Sequence, residues 1–293
     1  TCALPISCEF YTDVRGEKYL KNQKYKIINS ASPSSFKALG KLVLGFFESL
    51  AELMLDRPKA VVGFGGYPSF PPLVAAKVLF IKTVLHEQNS VQGLANRVLA
   101  KVATKVATTG NPVRPDIKFT PYPAKTDKLN ILITGGSQGA KLFADIIPKA
   151  LSHFAGKLNI VHQAEPDVAD EYKKLGIDAV VQPFFDDMPK RLEWAHLVIC
   201  RAGASTIAEL AVSGRPAIFI PLKIAADDHQ RSNAESVVCA SGGWMILEDN
   251  FNAKTLASLL EELTYEKLAL AAEQIAKLGK PTAAKDLADL IGN

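Results

Sequence analysis

The residue types best suited to chemistry lie in one segment, residues 200–235, which reads as a strand, a glycine turn, a helix, a strand and a polar loop before another helix. Free backbone N–H groups at the first helix start, near residues 203–206, can hold an anionic or hydroxyl-rich ligand. Glu209 follows one turn later, and its carboxylate can accept from two vicinal hydroxyls, as on a ribose. Gln230 offers an amide that can donate to and accept from sugar hydroxyls. Together these groups predict a nucleotide-sugar pocket.

Structural interpretations compete with this one. Thr206 and Glu209 have the spacing of a capping box, with Thr206 as N-cap and Glu209 reaching back. The acidic pairs at residues 186–187 and 227–228 are interpreted as helix-start acids, favoured by the helix dipole, rather than as metal ligands. Glu209 can serve both as a cap and as a ribose ligand in different states.

A second glycine loop, residues 135–139, follows a strand and opens a helix. Its amides can cradle a diphosphate, and the alternative is a simple tight strand–helix turn. The loop does not have the dinucleotide spacing GxGxxG, and the next strand, residues 158–163, lacks an acidic residue at its end. A dehydrogenase is therefore disfavoured.

Further polar groups follow the strand KTVL. His86 and Glu87 begin like a zinc-protease HExxH motif, but Ser90 stands in place of the second histidine, so a metal hydrolase is disfavoured. Ligand-binding loops of α/β proteins lie at such strand ends, and the alternative is helix capping by Asn89 or Ser90. Arg114 is a lone cation that either clamps a diphosphate or is solvated.

The elements that must position these groups alternate along the 293 residues, with 48% hydrophobic and 22% charged residues. Apolar strand-like runs separated by helical segments predict parallel sheets covered by helices on both faces. The runs are YKIIN, KAVVGF, KTVLH, NILIT, NIVHQ, AVVQPF, LVICR and AIFIP. The net charge of +4 and the absence of a basic run with aromatics exclude nucleic acid as a favoured partner.

A proline-rich stretch, residues 110–127, interrupts the alternation and predicts a stiff connector between two α/β halves that face one cleft. We therefore expect an N-terminal domain of residues 1–114, completed by a C-terminal helix at 280–293, and a second domain of residues 115–279.

Residues 36–56 predict a helix with apolar positions 36, 39, 43, 47, 50 and 54 facing the core, widened by Leu42, Phe46 and Leu53. Lys37 and Lys41 lie at its start. A wide apolar face with a basic flank can rest on an anionic bilayer, whereas the alternative is a fully buried helix.

The sequences and the order of seven motifs resemble those of one family, the bacterial MurG glycosyltransferases of peptidoglycan synthesis. The resemblance covers nearly the whole chain from residue 8. The motifs are VVGFGGYPSFPPLVAA, LHEQNSVQGLANRVLA, GNPVR, ILITGGSQGA, PFFDDM, CRAGASTIAEL and DDHQRSNA. The resemblance implies an α/β fold of two Rossmann-like domains, called GT-B, with no cofactor or metal requirement. It implies inverting transfer of N-acetylglucosamine from UDP-N-acetylglucosamine to lipid I, which gives lipid II, by an enzyme peripheral to the cytoplasmic face of the bacterial plasma membrane.

The resemblance also implies residue roles. Ser137 and its neighbouring amides would meet the diphosphate, Phe185 would read uracil through its backbone, and Glu209 would hold the ribose. Asn89 and Arg114 would close on the donor from the other side of the cleft. The helix at residues 36–56 would contribute to a membrane-facing patch on the acceptor domain. The expected substrate-binding residues are Asn89, Arg114, Ser137, Phe185, Arg201, Ala204, Ser205, Thr206, Ile207, Ala208, Glu209 and Gln230.

The family's first strand and its Gly-Gly-Thr-Gly-Gly-His loop have no counterpart in this sequence, and residues 1–7 fit neither a strand nor a helix start, so a truncated or artefactual N-terminus is expected. The general base is unassigned, with His86 and Glu87 as the local candidates. Two alternatives remain open: another GT-B transferase or a UDP-sugar epimerase, and a non-catalytic UDP-sugar-binding fragment.

Overall fold

The computed structural model describes residues 8–14, 16–17, 20, 23–31, 36–223 and 228–292, with the backbone alone at residues 36 and 136–140. Two sequence expectations, those for residues 1–7 and for Asp227, lie outside the described residues. No helix in the described part of the chain is long and apolar enough to cross a bilayer.

The contacts divide the chain into two compact units. The first is Thr1–Gln88 with Gln92–Thr109 and Lys285–Asn293, and the second is Asn89–Val91 with Gly110–Ala284. Compared with the expected division, the second unit takes residues 89–91 and 110–114, and the last helix joins the first unit from Lys285.

The first unit contains two small parallel sheets, β1 paired with β2 and a second sheet in the order β3-β4-β5. Its elements are β1 (Phe10–Thr12), β2 (Tyr25–Ile27), α1 (Phe36–Leu55), β3 (Ala60–Gly63), α2 (Phe70–Val78), β4 (Lys82–His86), α3 (Leu94–Leu99), β5 (Lys105–Ala107) and α11 (Ala283–Gly292). Leu287 of α11 is buried against Val84 and Ala107. Lys82 Nζ donates to the last-turn carbonyls of Leu290 and Ile291 at 2.9 Å each, which satisfies orphan acceptors at the helix end.

Helix α1 corrects the sequence analysis. Leu39, Val43, Phe47 and Met54, expected to face the core, are 49–66% exposed, whereas Leu53, thought only to widen that stripe, is 3% exposed. Gly45 and Ser49 lie on the buried face with Leu53, and a Cβ added at Gly45 would collide with the backbone carbonyl of Asn29. The buried stripe is therefore rotated from the expected one, and Phe46 and Leu50 pack against the core beside Leu53.

The second unit is a six-stranded parallel sheet in the order β11-β10-β9-β6-β7-β8. Its elements are β6 (Leu129–Thr134), α4 (Gly136–Leu151), β7 (Leu158–Gln163), α5 (Val168–Lys174), β8 (Ala179–Gln182), α6 (Met188–Trp194), β9 (Leu197–Cys200), α7 (Ala204–Ser213), β10 (Ala217–Phe219), α8 (His229–Cys239), β11 (Gly243–Met245), α9 (Ala253–Glu262) and α10 (Tyr265–Ala276).

Two apolar cores cover the faces of this sheet, as expected for continuous apolar strands. Alternation along β6 places Ile131 and Ile133 in one core with Phe143 of α4. Leu132 lies in the other core with Leu210 of α7 and Val237 of α8. The sheet thus has helices on both faces.

The proline-rich stretch, expected to connect the domains, lies within the second unit. Arg215 is fully buried, and its guanidinium donates to the carbonyls of Thr120 and Pro121 at 3.1 Å each. Tyr122 Oη donates to the carbonyl of His196 at 3.0 Å. These bonds hold the stretch against the body of the unit.

Candidate functional site

The sheet of the second unit reverses its strand order between β6 and β9. The chain runs outward from β6 through β7 and β8, then returns to pair β9 with the other edge of β6, Thr134 opposite Cys200. Ligands of open α/β sheets bind beyond the carboxyl ends of the strands at such a switch point. Helices α4 and α7 both begin there, at Gly136 and Ala204.

The start of α7 corrects the capping-box interpretation. The N-cap is Gly203, with extended backbone and no side-chain cap, so Thr206 lies inside the first turn. Ile207 N–H donates to the carbonyl of Gly203 at 3.0 Å, and the N–H groups of Ala204, Ser205 and Thr206 precede the helical bonding pattern. Glu209 is therefore not needed as a cap.

The exposure of α7 changes halfway along the helix. Residues 204–209 are half-buried or, at Ser205, exposed, whereas residues 210–213 are all buried. Ile207 and Ala208 thus belong to an accessible amino-terminal half. Free amides and a positive helix dipole favour an anionic ligand at this end.

Glu209 and Arg114 form an ion pair at this site, with Nε 3.6 Å from Oε1. Burial raises the pKa of the Glu209 carboxyl, Arg114 lowers it and Asp116 raises it, and the net direction is upward. Arg114 belongs to the second unit. The expectation that it comes from the other domain is therefore wrong, because the segment after Gly110 folds back beside α7.

Gln230 lies in the first turn of α8 with a fixed amide polarity. Its Oε1 accepts the N–H of Leu222 at 3.0 Å, and the described residues give Nε2 no partner. The sequence offered both a donor and an acceptor here, but the fold uses the acceptor and leaves the donor for a ligand.

Arg201 follows β9 directly and is 8% exposed. Its guanidinium donates to the carbonyl of Ile220 at 3.0 Å and to Glu248 Oε1 at 3.2 Å, and it lies 5.1 Å from the ring centre of Phe143. Glu248 Oε2 accepts the N–H of Lys223 at 2.7 Å. These contacts hold the loop that contains Leu222, the hydrogen-bond partner of Gln230. Arg201 therefore acts on this loop through Glu248.

Asn89, which was expected on the other side of the cleft from the donor-binding domain, also lies in the second unit. Its Oδ1 accepts from Asn233 Nδ2 at 3.1 Å, and Asn233 Oδ1 accepts the N–H of Ser90 at 2.8 Å. Asn233 was not singled out from the sequence, although it lies three residues after Gln230, one helical turn along α8.

Phe185 is 2% exposed and its ring is covered by Arg191, 5.1 Å from the ring centre. A buried ring leaves only the backbone for ligand recognition, consistent with the role expected for it. Gln163 Nε2 donates to the carbonyl of Pro183 at 3.3 Å, while its Oε1 accepts from Thr134 Oγ1 at 2.8 Å. Gln163, not singled out from the sequence, ties the Phe185 loop to the end of β6.

Ser137 lies in the first turn of α4, behind the N-cap Gly135. Gly135 has φ −90°, so this turn needs no left-handed backbone. The backbone amides of the turn are placed at the switch point, where a diphosphate would meet them.

The two candidate bases lie in the first unit. His86 is completely buried, with its ring centre 5.5 Å from that of Phe64. Glu87 Oε2 accepts from Asn96 Nδ2 at 2.7 Å. A base must reach the proton that it removes, and the geometry assigns neither residue that role.

The expected helix-start acids occupy N-cap positions without capping. Asp187 precedes α6 and Asp228 precedes α8, and neither side chain makes a cap hydrogen bond. Asp187 instead pairs with Arg191 one turn later, at 3.1 Å. Both acids still lie at the amino end of a helix, where the helix dipole favours a negative charge.

The chain matches the model of the glycosyltransferase family 28 N-terminal domain over residues 8–108 and that of the C-terminal domain over residues 130–291. The chain belongs to glycosyltransferase family 28. Two relatives carry the name UDP-N-acetylglucosamine–N-acetylmuramyl-(pentapeptide) pyrophosphoryl-undecaprenol N-acetylglucosamine transferase. The one from Rhodospirillum centenum is 42% identical, with 96% of this chain and 85% of the relative covered. The one from Caulobacter vibrioides is 39% identical, with 96% and 89% covered.

A solved structure, Acinetobacter baumannii MurG, superposes with a TM-score of 0.82 at 30% identity, covering 94% of this family 28 chain and 87% of that one. The predicted fold class, α/β with two Rossmann-like domains of the GT-B type, is confirmed. A Staphylococcus aureus MnaA–UDP structure, TM-score 0.60 at 14% identity, shares the fold alone.

Proposed function

We propose that this family 28 glycosyltransferase transfers N-acetylglucosamine from UDP-N-acetylglucosamine to the muramyl hydroxyl of lipid I, giving lipid II. The observation that carries the proposal is the convergence of two helix starts, Glu209 and Gln230 around the switch point between β6 and β9. The names of the relatives supply the substrates. The second unit is then the donor-binding domain and the first unit the acceptor domain.

The donor site divides into three parts. The amides of the first turns of α4 and α7 bind the diphosphate. Glu209 accepts from the ribose hydroxyls, and Gln230 donates to a hydroxyl of the N-acetylglucosamine. The backbone around Phe185 binds uracil. Asn89 contributes to the sugar end of the site.

The reaction forms a bond from the muramyl oxygen to the anomeric carbon and breaks the bond from that carbon to the diphosphate oxygen, with inversion. Negative charge develops on the leaving UDP. Amides that are already oriented stabilise it without reorganisation, and Arg114 adds a positive charge close by. The muramyl proton passes to a general base that we leave unassigned.

Transfer itself tests this proposal. The protein is incubated with radiolabelled UDP-N-acetylglucosamine and a lipid I analogue in detergent, and labelled lipid is extracted. The proposal predicts a lipid II product that disappears when lipid I is omitted. Donor binding without product supports the non-catalytic alternative, and conversion of the UDP-sugar without an acceptor supports an epimerase.

We also propose that α1 brings the protein to the anionic cytoplasmic face of the bacterial plasma membrane as a peripheral protein. Leu39, Val43 and Phe47 recur at i, i+4 and i+8 and are 52%, 49% and 59% exposed. Lys37 and Lys41 on the same helix are exposed. Apolar area with flanking basic charge binds anionic interfaces.

Vesicle flotation tests the membrane surface. We expect binding to vesicles that contain anionic phosphatidylglycerol and weaker binding to neutral phosphatidylcholine. The double variant Leu39→Ser/Phe47→Ser should lose most of this binding. The matched control Leu270→Ser changes a leucine that is 57% exposed on α10, and it should bind as the wild type does. Equal loss in both variants contradicts the proposal.

A further inference from the structure

Asn233 is a buried amide that bonds to two other segments of the second unit. It is 2% exposed. Its Oδ1 accepts the Ser90 N–H at 2.8 Å, and its Nδ2 donates to Asn89 Oδ1 at 3.1 Å and to the Ala202 carbonyl at 3.3 Å. Both amide hydrogens and the carbonyl oxygen are therefore used.

The segments that meet at Asn233 are those that form the sugar end of the proposed donor site. Asn89 and Ser90 lie in the short segment Asn89–Val91, and Ala202 lies two residues before the start of α7. Helix α8, which contains Asn233, also carries Gln230 one turn earlier. The Asn233 side chain thus sets the distance between Asn89 and the helices α7 and α8.

The bond to Asn89 also fixes the polarity of that amide. Because Asn89 Oδ1 accepts from Asn233, the Nδ2 end of Asn89 is turned away from Asn233. A side chain without an N–H donor at position 233 removes this constraint.

We infer that Asn233 is a positioning residue for sugar recognition that acts through Asn89. It therefore supports the binding of UDP-N-acetylglucosamine more than the binding of UDP. This inference rests on the proposed function. A residue that merely stabilised the fold would affect UDP and UDP-N-acetylglucosamine alike, so the two ligands separate the roles.

A second contact on α8 offers a matched control. Ser90 Oγ lies 3.2 Å from Ser236 Oγ at an exposed position. Ser236→Ala removes this hydroxyl contact to the same segment and leaves the Asn233 amide intact. We expect its affinities for both ligands to stay within about twofold of the wild type, because exposed hydrogen bonds contribute little net free energy.

The test is a double-mutant cycle by titration calorimetry with Asn89→Ala, Asn233→Ala and the double variant. Each single variant should bind UDP-N-acetylglucosamine about tenfold more weakly, the effect of one lost hydrogen-bond interaction. UDP affinity should change less than about threefold. The double variant should lose little more than either single variant, because residues that act together are not additive.

An additive loss of about a hundredfold, or equal losses for UDP and UDP-N-acetylglucosamine, overturns the inference. Asn233→Asp serves if the alanine variant does not fold, since it keeps the acceptor for Ser90 and lacks both donors, and the same selective loss is expected. Failure of the wild-type protein to bind UDP-N-acetylglucosamine contradicts the proposed function instead, so the two failures are distinguishable.

Discussion

Arg114 Nε lies 3.6 Å from Oε1 of Glu209, and both residues belong to the second unit. The carboxylate is thereby held at the accessible half of α7 by a cation that can also face a diphosphate. The pair places a ribose acceptor and a phosphate-directed charge side by side. This arrangement matches the order of groups in a nucleoside diphosphate.

Replacing Glu209 with Gln should weaken UDP and UDP-N-acetylglucosamine by about 10- to 100-fold each, because both ligands carry the ribose and a hydrogen bond to a charged group contributes about 1.5–3 kcal/mol. Calorimetry checks this. Glu235→Gln, an exposed glutamate paired with Arg231 on α8, is the matched control. Unchanged UDP affinity in Glu209→Gln would remove Glu209 from the site.

The raised pKa of Glu209 predicts the pH dependence of donor binding. Burial favours the protonated carboxyl, so the acceptor is lost on acidification at a higher pH than for an ordinary glutamate. The affinity for UDP-N-acetylglucosamine should fall as the pH is lowered towards 5 in the wild type and change less in Glu209→Gln. Identical pH profiles for both proteins would contradict the assignment.

The polarity of Gln230 predicts a selective effect of Gln230→Glu. The variant keeps an acceptor for the Leu222 N–H, but it replaces Nε2, a donor with no partner in the described part of the chain, with a second acceptor. UDP-N-acetylglucosamine should bind at least about tenfold more weakly at an unchanged melting temperature. Gln274→Glu, on α10, is the control for charge alone. A variant that retains wild-type sugar affinity would show that Nε2 does not meet the donor.

His162 predicts how stability depends on pH. It is completely buried, and burial lowers its pKa to about 4. The unfolded chain, with a histidine pKa near 6.5, binds the proton first, so stability is retained above pH 6.5 and lost as the pH falls towards 4. The loss attributable to His162 approaches about 3 kcal/mol.

Urea unfolding between pH 7 and pH 4.5 measures this effect. His162→Gln should show a smaller pH-dependent loss than the wild type. The exposed histidine variant His153→Gln should follow the wild-type curve. If His162→Gln also loses as much stability as the wild type, the assignment of His162 as a neutral buried histidine is wrong.

Most strands were predictable from the sequence, and two edge strands were not. All eight predicted strand runs are strands or contain one. The edge strands β5 and β11 were missed, and their three-residue length does not explain this, because β2 and β10 are equally short and were predicted. Their pairing is set by neighbouring strands instead.

The errors within helices have a common cause. The apolar stripe of α1 was assigned to the core from its helical spacing, yet Gly45, Ser49 and Leu53 lie on the buried face, where Asn29 approaches Gly45 closely. Likewise, the capping box at Thr206 failed because Gly203 starts α7 earlier. Local patterns omit the tertiary neighbours that decide both outcomes.

The candidate site was predictable where motifs carry it and not where the chain folds back. Glu209 and Gln230 were singled out from residue type and spacing. Glu248 was not, because its role comes from contacts with residues distant in sequence, and the spacing of Asn233 from Gln230 does not reveal its bonds to Ser90 and Asn89. The placement of Arg114 beside Glu209 likewise depends on the path of the proline-rich stretch.

Hydrogen–deuterium exchange with and without UDP-N-acetylglucosamine shows whether the donor binds at the switch point between β6 and β9. We expect ligand-dependent protection of the first turns of α4 and α7 and of the start of α8. Strands β3 and β4 of the first unit should exchange unchanged. Absence of protection at saturating ligand, or protection confined to the first unit, would exclude a donor site at this switch point.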